Sequence, residues 1–353
     1  MSAVEPPEVV PVLGAGAIGC GVGMALAESG VRPLLVSDWE EHVAAIRRRG
    51  LLVAMPDGSE VEVPADAATT DELVRSGRSF PLAYLASKCQ GTVRNAEALV
   101  EVLTPDGCVV TVQNGINTDV LAEHLGAPRV IGGASVFGAV RTGPGEVRRT
   151  GASSWMVIGE LEGGTTPRVE AIAELTSTGD WRTDVSPDVM GVLWAKLINN
   201  SQVNAMSVLG GWTVQELMAD DRARRVAMDM LLEGVAVASA VGVRPQPLPT
   251  IDIAALADLA ETDPDAVEAD LRRFGELFPG TRVSSLQDVD AGRSTELPWF
   301  TGHVVDTGAA HGVPTPVCAT VLDAALRIER GEPRTPELID ATLAAAEEGR
   351  RVH

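Results

Sequence analysis

The stretch Val9–Asp38 constrains the fold of this chain more than any other part of it. An apolar run, Val9–Leu13, is short enough to be a buried parallel strand, and the glycine pattern GxGxxG of Gly14–Gly19 follows it directly. The segment Cys20–Gly30 has the small and apolar residues of a helix packed on a sheet, and Val31–Ser37 is a second apolar run. Strand, glycine loop, helix and strand in this order predict a dinucleotide-binding βαβ unit.

Each glycine of this loop has a physical task in such a unit. Gly14 makes the tight turn, Gly16 lets the backbone approach a pyrophosphate, and Gly19 lets the helix pack closely on its strand. The helix N-terminus supplies N–H groups and the positive end of its dipole to the phosphates. The predicted cofactor-binding residues of the loop are Gly14, Ala15, Gly16, Ala17, Ile18 and Gly19. A glycine-rich turn in another kind of α/β protein is the alternative.

Asp38 ends the second apolar run, and the choice of cofactor is predicted from it. A carboxylate at this position accepts hydrogen bonds from the 2′- and 3′-hydroxyls of an adenosine ribose, and it repels a 2′-phosphate. Glu40 and Glu41 add negative charge beside it. The prediction is therefore NAD in preference to NADP. An incidental aspartate in a loop is the alternative.

Charge and composition limit the kinds of partner. The 353 residues contain 28 Lys and Arg against 49 Asp and Glu, a formal net charge of −21. So acidic a chain disfavours nucleic acid and anionic membranes as partners. The N-terminus lacks the basic and apolar regions of a secretory signal, and four scattered cysteines indicate a reducing cytoplasm. Because neither CxxC nor HExxH occurs, we expect no metal site.

The pattern of the chain divides it into two parts. Over residues 1–186 apolar strands alternate with helices, which predicts an α/β Rossmann domain with a doubly wound, mainly parallel sheet. Over 187–353 the pattern is helical almost throughout, which predicts an all-helical C-terminal domain. Its predicted helices include long ones over 188–209 and 295–311. Ligands of doubly wound sheets bind beyond the carboxyl ends of the strands, where Gly14–Gly19, Lys88 and Asn114 all fall.

Lys196 is the one charged residue of the predicted helix 188–209 beyond its first position. A surface helix ordinarily has a charged face, so this helix is predicted to be enclosed. Asn200 and Asn204 follow at steps of four, which advance only ~40° around a helix, so the three residues form one polar stripe. Desolvation lowers the pKa of a lysine, which suits such a group to proton donation near neutral pH. A lysine that reaches solvent or pairs with a structural carboxylate is the alternative.

A second group of polar residues lies between 283 and 296. Helix caps are the structural interpretation of Ser284, Ser285 and Asp288, and of Thr295 before Glu296. The two histidines that follow, His303 and His311, are interpreted as packing residues.

Taken together, these motifs resemble those of the ketopantoate reductase (2-dehydropantoate 2-reductase) family. The resemblance runs from about Val9 to Pro316. The segments that carry it are Gly14–Gly19, Lys88, Gln113-Asn114-Gly115, Ala139 with Arg141 and Gly143-Pro144-Gly145, Lys196 with Asn200 and Asn204, and Ser284 through Glu296. It implies an N-terminal Rossmann domain and an all-helical C-terminal domain, with the active site in the cleft between the two.

The resemblance also implies roles for single residues. Lys196 would be the general acid that protonates the carbonyl oxygen as hydride arrives, and Glu296 a second catalytic residue that touches substrate or cofactor ribose. Lys88, Asn114 and Ala139 would bind the cofactor, with Asn114 at its nicotinamide end. The implied substrate-binding residues are Asn114, Lys196, Asn200, Asn204 and Ser284. The expected partner is a small ketone or secondary alcohol, and a homodimer is a further expectation.

The chain departs from the family pattern in ways that bear on its substrate. Ketopantoate reductases usually have an arginine for the 2′-phosphate of NADP where this chain has Asp38. Trp299 and Phe300 are bulky in a chain with only 3% aromatic residues, which favours a larger or less polar substrate. Other departures are at Val214, Leu297, Pro298 and Thr301. The expected function is a dehydrogenase; a secondary-alcohol dehydrogenase for larger substrates and a non-catalytic dinucleotide sensor are the alternatives. An opine-type or hydroxyacid dehydrogenase is disfavoured because neither His303 nor His311 suits a general base.

Overall fold

The computed structural model describes residues 7–150, 154–179 and 181–352, and of residues 350–352 it describes the backbone only. The chain divides into two compact units, Met1–Met190 and Gly191–His353. None of the helices in the described part combines the length and the apolar character that spanning a bilayer requires.

Two sheets form the first unit. The larger has eight strands in the order β12-β11-β8-β7-β6-β1-β2-β5, and the smaller has the order β4-β3-β10-β9. The strands are β1 (Val9–Leu13), β2 (Arg32–Val36), β3 (Leu51–Ala54), β4 (Glu60–Val63), β5 (Asp66–Ala68), β6 (Phe80–Leu85), β7 (Leu103–Thr111), β8 (Val130–Val136), β9 (Ala139–Gly143), β10 (Glu146–Arg149), β11 (Ser154–Glu160) and β12 (Trp181–Val185). The helices of this unit are α1 (Ala17–Glu28), α2 (Glu40–Arg49), α3 (Thr70–Arg75), α4 (Thr92–Val102), α5 (Thr118–Leu125) and α6 (Pro167–Leu175).

The register of the larger sheet determines where a ligand could bind. Leu13 at the end of β1 lies opposite Val36 of β2 and Leu85 of β6, and Leu85 lies opposite Thr111 of β7. These four strands are parallel and buried, so their carboxyl ends meet at one edge of the sheet, which is the usual ligand-binding edge of such folds. The predicted α/β class with a doubly wound parallel sheet is confirmed.

The sheet differs from the prediction in two respects. β11 pairs antiparallel with β8, whereas all other neighbouring strands of this sheet pair in parallel. β5, α3, α6 and β12 were not predicted, because each is short or, in β5 and β12, carries polar residues that hide a strand pattern.

Helices alone make up the regular structure of the second unit. They are α7 (Val189–Gly210, which begins just before the unit does), α8 (Val214–Ala219), α9 (Asp221–Ala240), α10 (Ile253–Ala260), α11 (Pro264–Glu276), α12 (Ser284–Asp290), α13 (Thr301–His311), α14 (Pro316–Glu329) and α15 (Pro336–Val352). The predicted continuous helix over 295–311 is wrong. Leu297–Trp299 forms a 3₁₀ turn that contains Pro298, and Phe300, with φ −102° and ψ −88°, separates this turn from α13. Proline lacks the N–H that a continuous helix would use, which explains the break.

Candidate active site

The glycine loop connects β1 with α1 at the carboxyl edge of the larger sheet. The amides of Gly14 and Ala15 both donate to the carbonyl oxygen of Val36, at 3.0 and 2.9 Å, and hold the loop against the end of β2. Gly14 has φ +93°, and a Cβ atom built there would lie 2.3 Å from the backbone nitrogen of Ser87. Only glycine therefore fits this turn.

The start of α1 is open beside Gly16, its N-cap residue. A Cβ atom built on Gly16 would meet no atom within 4 Å, and no side-chain hydrogen bond caps the helix, as far as the described residues go. Ala17 and Ile18 form the first turn, and a Cβ at Gly19 would lie 2.2 Å from the carbonyl oxygen of Gly14, so helix and loop pack closely. An open helix N-terminus binds anions through its amides and its dipole. The loop therefore fits the pyrophosphate of a dinucleotide.

Asp38 lies two residues beyond the end of β2 and is exposed. Its Oδ1 accepts a hydrogen bond from the N–H of Thr70 at 3.2 Å, and its Oδ2 lies 2.7 Å from Nη1 of Arg94 on α4. Sequence analysis singled out neither partner. The contacts hold the carboxylate near the ends of β2 and β5, at the edge where the adenosine ribose binds in folds of this type.

Lys88 and Asn114 occupy the loops that follow β6 and β7. Lys88 is exposed at the start of a short 3₁₀ turn, and Asn114 is half-buried. The buried side chain of Gln113 joins the two loops. Its Nε2 donates to the carbonyl oxygen of Ser87 at 3.1 Å and to the hydroxyl of Thr92 at 2.9 Å. These bonds fix the Asn114 loop against the Lys88 loop. Gln113, which the sequence analysis named only as part of a motif, is therefore a positioning residue.

A buried histidine links α1 and α2 to the β9–β10 hairpin. That hairpin begins at Ala139, a predicted cofactor-binding residue, which is half-buried against the core of the first unit. Nδ1 of His42 accepts a hydrogen bond from the N–H of Gly145 at 2.9 Å, and Nε2 lies 4.0 Å from Sγ of Cys20. Burial, and the positive charge of Arg141, lower the pKa of His42 to about 4. The ring is therefore neutral at pH 7, with its proton on Nε2 because Nδ1 accepts.

The low pKa of His42 makes the stability of the first unit sensitive to mild acid. Since the unfolded chain takes up a proton near pH 6.5 and the folded chain only near pH 4, stability falls as the pH drops through this window. We expect about 2 kcal/mol of unfolding free energy to be lost between pH 7 and pH 5 through this residue. Urea unfolding of native protein and of His42→Gln at both pH values measures it. Between pH 7 and pH 5, His42→Gln should lose less unfolding free energy than the native protein. His311→Gln, a change at an exposed histidine, should lose as much as the native protein does. An equal loss in native protein and His42→Gln would contradict the assignment.

In the second unit, α7 carries the predicted polar stripe. Lys196 and Asn200 are half-buried, and Asn204 is 4% exposed. Nδ2 of Asn204 donates to the carbonyl oxygen of Asn200 at 3.0 Å. Its Oδ1 accepts hydrogen bonds from the hydroxyl of Ser284 at 3.4 Å and from the N–H of Ser285 at 3.2 Å. The structure therefore brings Asn200, Asn204 and Ser284 together, and joins the stripe to the start of α12.

The interpretation of Ser284 as a helix cap is wrong. The N-cap position of α12 is occupied by Val283, and Asn204 of α7 accepts the N–H of Ser285 in place of a local side chain. Ser284 itself is exposed, which leaves its hydroxyl accessible to a ligand.

Glu296 and the aromatic residues after it have different environments. Glu296 is 5% exposed and precedes the 3₁₀ turn, whereas Trp299 at the end of that turn is half-buried. Phe300 has no exposed surface, so of the two aromatic residues that favour a larger or less polar substrate only Trp299 is accessible. His303 contacts the ring of Trp194 edge-on at 5.7 Å between ring centroids, as expected of a packing residue. His311 is exposed, so the interpretation of that histidine as a packing residue is wrong.

Comparison with known proteins identifies relatives along both units. The family model described as ketopantoate reductase PanE/ApbA matches residues 10–163, and the model described as ketopantoate reductase PanE/ApbA C terminal matches residues 188–329. A 2-dehydropantoate 2-reductase of Halobacterium salinarum is 31% identical over 316 residues, which cover 89% of this chain and 96% of the relative. One from Pyrococcus abyssi is 28% identical over 310 residues, 87% and 93% of the two chains.

Solved structures include close matches to the fold. The PanE/ApbA family ketopantoate reductase of Ralstonia eutropha JMP134 has a TM-score of 0.77 and 27% identity, and the match covers 91% of this chain and 98% of that one. D-mandelate dehydrogenase, solved with NADH and anilino(oxo)acetate, has a TM-score of 0.79 at 22% identity with the same coverage. At 22% identity, the similarity to D-mandelate dehydrogenase shows a shared fold only.

Proposed function

The chain belongs to the ketopantoate reductase family, and on that premise we propose that it interconverts a 2-oxo acid of the ketopantoate type and the 2-hydroxy acid, with NAD preferred over NADP. It is an oxidoreductase that acts on a CH–OH group, as the 2-dehydropantoate 2-reductases related to it are. Its family and the structural neighbours solved with NADH support a nicotinamide cofactor. The preference for NAD and the kind of substrate are the proposed parts.

The observation that carries this proposal is the polar stripe of α7. In a helix whose other side chains are uncharged, the half-buried residue Lys196 is followed by Asn200 and Asn204. A packing helix has no need of this arrangement, whereas reduction of a carbonyl needs a proton donor with hydrogen-bond donors beside it.

The residues of the stripe suit the chemistry of a 2-oxo acid. The bound nicotinamide supplies or accepts the hydride. As negative charge grows on the carbonyl oxygen, the ammonium group of Lys196 stabilises that charge and donates the proton. The amide of Asn200 is a neutral donor that can bind the substrate carboxylate. The hydroxyl of Ser284 can do the same if it exchanges its long bond to Oδ1 of Asn204, 3.4 Å, for one to the substrate. Glu296 is buried, and its carboxylate can accept a hydrogen bond from a hydroxyl group of the substrate or of the cofactor ribose.

An NAD-dependent dehydrogenase for bulkier 2-hydroxy acids is the second candidate, favoured by one observation. Trp299, the last residue of the 3₁₀ turn, is only half-buried, so the residue is partly accessible. The D-mandelate dehydrogenase of similar fold was solved with anilino(oxo)acetate, a ligand that bears an aromatic ring.

A substrate screen separates these candidates. Purified protein is assayed with ketopantoate, aliphatic 2-oxo acids, aryl 2-oxo acids and the matching alcohols, each with NADH or NADPH (NAD or NADP for the alcohols). Turnover of ketopantoate with NADH supports the first proposal, and a preference for aryl substrates supports the second. Binding of NADH without turnover of any of these compounds would instead indicate a dinucleotide sensor.

Asp38→Arg tests the proposed cofactor preference. The change removes the acceptor for ribose hydroxyls and supplies a cation for the 2′-phosphate, so the ratio of kcat/KM for NADH to that for NADPH should fall at least ~tenfold. Glu40→Arg makes the same change of charge two residues away at an exposed position. Because Glu40 adds to the negative charge beside Asp38 but is not expected to contact the ribose, the ratio should fall in this variant too, but clearly less than in Asp38→Arg. An unchanged ratio in Asp38→Arg, or equal changes in both variants, would contradict recognition of the ribose by Asp38.

A further inference from the structure

Asp38 does not stand alone at the ribose end of the predicted cofactor site. Each of its carboxylate oxygens already has one partner: Oδ1 has the N–H of Thr70 at 3.2 Å, and Oδ2 has Nη1 of Arg94 at 2.7 Å. A carboxylate oxygen has two lone pairs, so each oxygen can still accept a hydrogen bond from a ribose hydroxyl. The two contacts thus fix the orientation of the Asp38 carboxylate and leave it lone pairs to accept hydrogen bonds from a ribose.

Arg94 bridges two acidic residues. Its Nη2 also lies 3.3 Å from Oδ1 of Asp71, near the start of α3. The side chain of Arg94 is 56% exposed, and those of Asp38 and Asp71 are 47% and 65% exposed. Ion pairs this exposed contribute little to stability, so the guanidinium can leave them when a stronger anion arrives.

A 2′-phosphate would be such an anion. A phosphomonoester carries a charge of about −1.5 to −2 at pH 7, and here it would meet Asp38 and Asp71. A guanidinium group binds phosphate through two parallel N–H donors and keeps its charge at any physiological pH. Nη1 of Arg94 lies 2.7 Å from Oδ2 of Asp38, the carboxylate that we propose binds the ribose hydroxyls of NAD and repels the 2′-phosphate of NADP.

We propose that Arg94 sets how strictly this protein discriminates between NAD and NADP. With NAD it stays paired with Asp38 and orients the carboxylate toward the ribose. With NADP it turns to the 2′-phosphate and offsets the repulsion from the two aspartates, so that NADP is accepted more weakly than NAD but is not excluded. This inference rests on the proposed function, because it presupposes a dinucleotide at this edge of the sheet.

The test compares NADH and NADPH binding by isothermal titration calorimetry, without substrate. Because the two nucleotides differ only in the 2′-phosphate, Arg94→Met should weaken NADPH binding at least ~tenfold and change NADH binding less than ~threefold. Arg75→Met is the matched control. Arg75 is also an exposed arginine, 3.8 Å from a carboxylate oxygen of Asp71, and its loss should change both affinities less than ~twofold.

A double-mutant cycle then tests the coupling of Arg94 to Asp38. Asp38→Asn releases Arg94 and should strengthen NADPH binding, and this gain should be smaller when Arg94→Met is already present. Equal weakening of both nucleotides in Arg94→Met would mean a merely structural role and overturn the inference. So would NADPH binding that does not respond to the change, or gains from Asp38→Asn that are the same in both backgrounds.

Failure of the inference and failure of the proposed function give different results. If the native protein binds neither NADH nor NADPH, the proposed function is wrong and the inference falls with it. If NADH binds and Arg94→Met leaves the NADH-to-NADPH ratio unchanged, only the inference is wrong.

Discussion

Replacing Lys196 by alanine is expected to lower kcat at least ~10²-fold, while the variant folds and binds NADH as the native protein does. General acid catalysis by a positioned side chain contributes about 10²–10⁴-fold, and no other charged side chain lies on α7 to replace the lost ammonium group. The loss should appear in kcat more than in KM, because the proton is needed as charge develops on the carbonyl oxygen rather than in the ground state.

Two further variants separate proton donation from charge and packing. Lys196→Arg keeps the positive charge but holds its proton far more tightly, so it should recover part of the rate through charge stabilisation alone. Lys196→Met keeps most of the volume and should be as slow as the alanine variant. Added primary amines such as methylamine should restore part of the activity of Lys196→Ala, since a small ammonium ion can enter the space left by the side chain. Near-normal turnover in Lys196→Ala would dismiss the role of general acid.

The predictions that succeeded rest on strong local patterns. β1 has the predicted bounds because an apolar run ends abruptly at a glycine that must adopt positive φ. α7 was predicted over 188–209 and is found at Val189–Gly210, because a long uncharged segment with helical spacing has few alternatives. The predicted continuous helix over 295–311 is wrong because Pro298 has no N–H to donate, and the chain forms a 3₁₀ turn there before α13 begins.

The surroundings of Asp38 could not be predicted, because they depend on elements that periodicity does not show. Thr70 and Arg94 are 32 and 56 residues away in sequence, and the segment that brings Thr70 to the carboxylate is the three-residue strand β5 followed by α3. One signal was available: Thr69 and Glu72 form a capping box, and the sequence pattern T-x-x-E marks the start of α3.

Asn204 shows the same limit in the second unit. The spacing of four predicts that it shares a helix face with Asn200, and the structure joins these two residues by a hydrogen bond. The spacing could not show that Oδ1 of Asn204 accepts a hydrogen bond from the N–H of Ser285, a residue 81 positions later in the sequence. A side chain interpreted as a ligand-binding group therefore also holds the start of α12, and Asn204→Ala would change stability as well as binding.

Two single substitutions in the glycine loop can separate the effect on folding from the effect on cofactor binding. The first, Gly16→Asp, should weaken NADH binding at least ~10²-fold without loss of stability. Gly16 has φ −83°, which any residue can adopt, and a Cβ there meets nothing within 4 Å of the described protein. Aspartate is a preferred N-cap residue, so α1 should be as stable or slightly more stable. Its carboxylate would lie where the pyrophosphate is expected, and two such charges about 4 Å apart repel by about 4 kcal/mol per charge pair near a protein surface.

Gly14→Ala is the contrasting variant, and together the two changes test the assignment of the loop. With φ +93° and a Cβ 2.3 Å from the nitrogen of Ser87, it should lower the unfolding free energy by about 3 kcal/mol or more. Gly16→Ser, a neutral N-cap of small size, should bind NADH far better than Gly16→Asp does, which isolates the effect of charge. Thermal unfolding and calorimetric titration with NADH measure both quantities on each protein. Unimpaired NADH binding by a folded Gly16→Asp would place the pyrophosphate somewhere other than the start of α1, because a carboxylate at the N-cap would repel phosphates bound there.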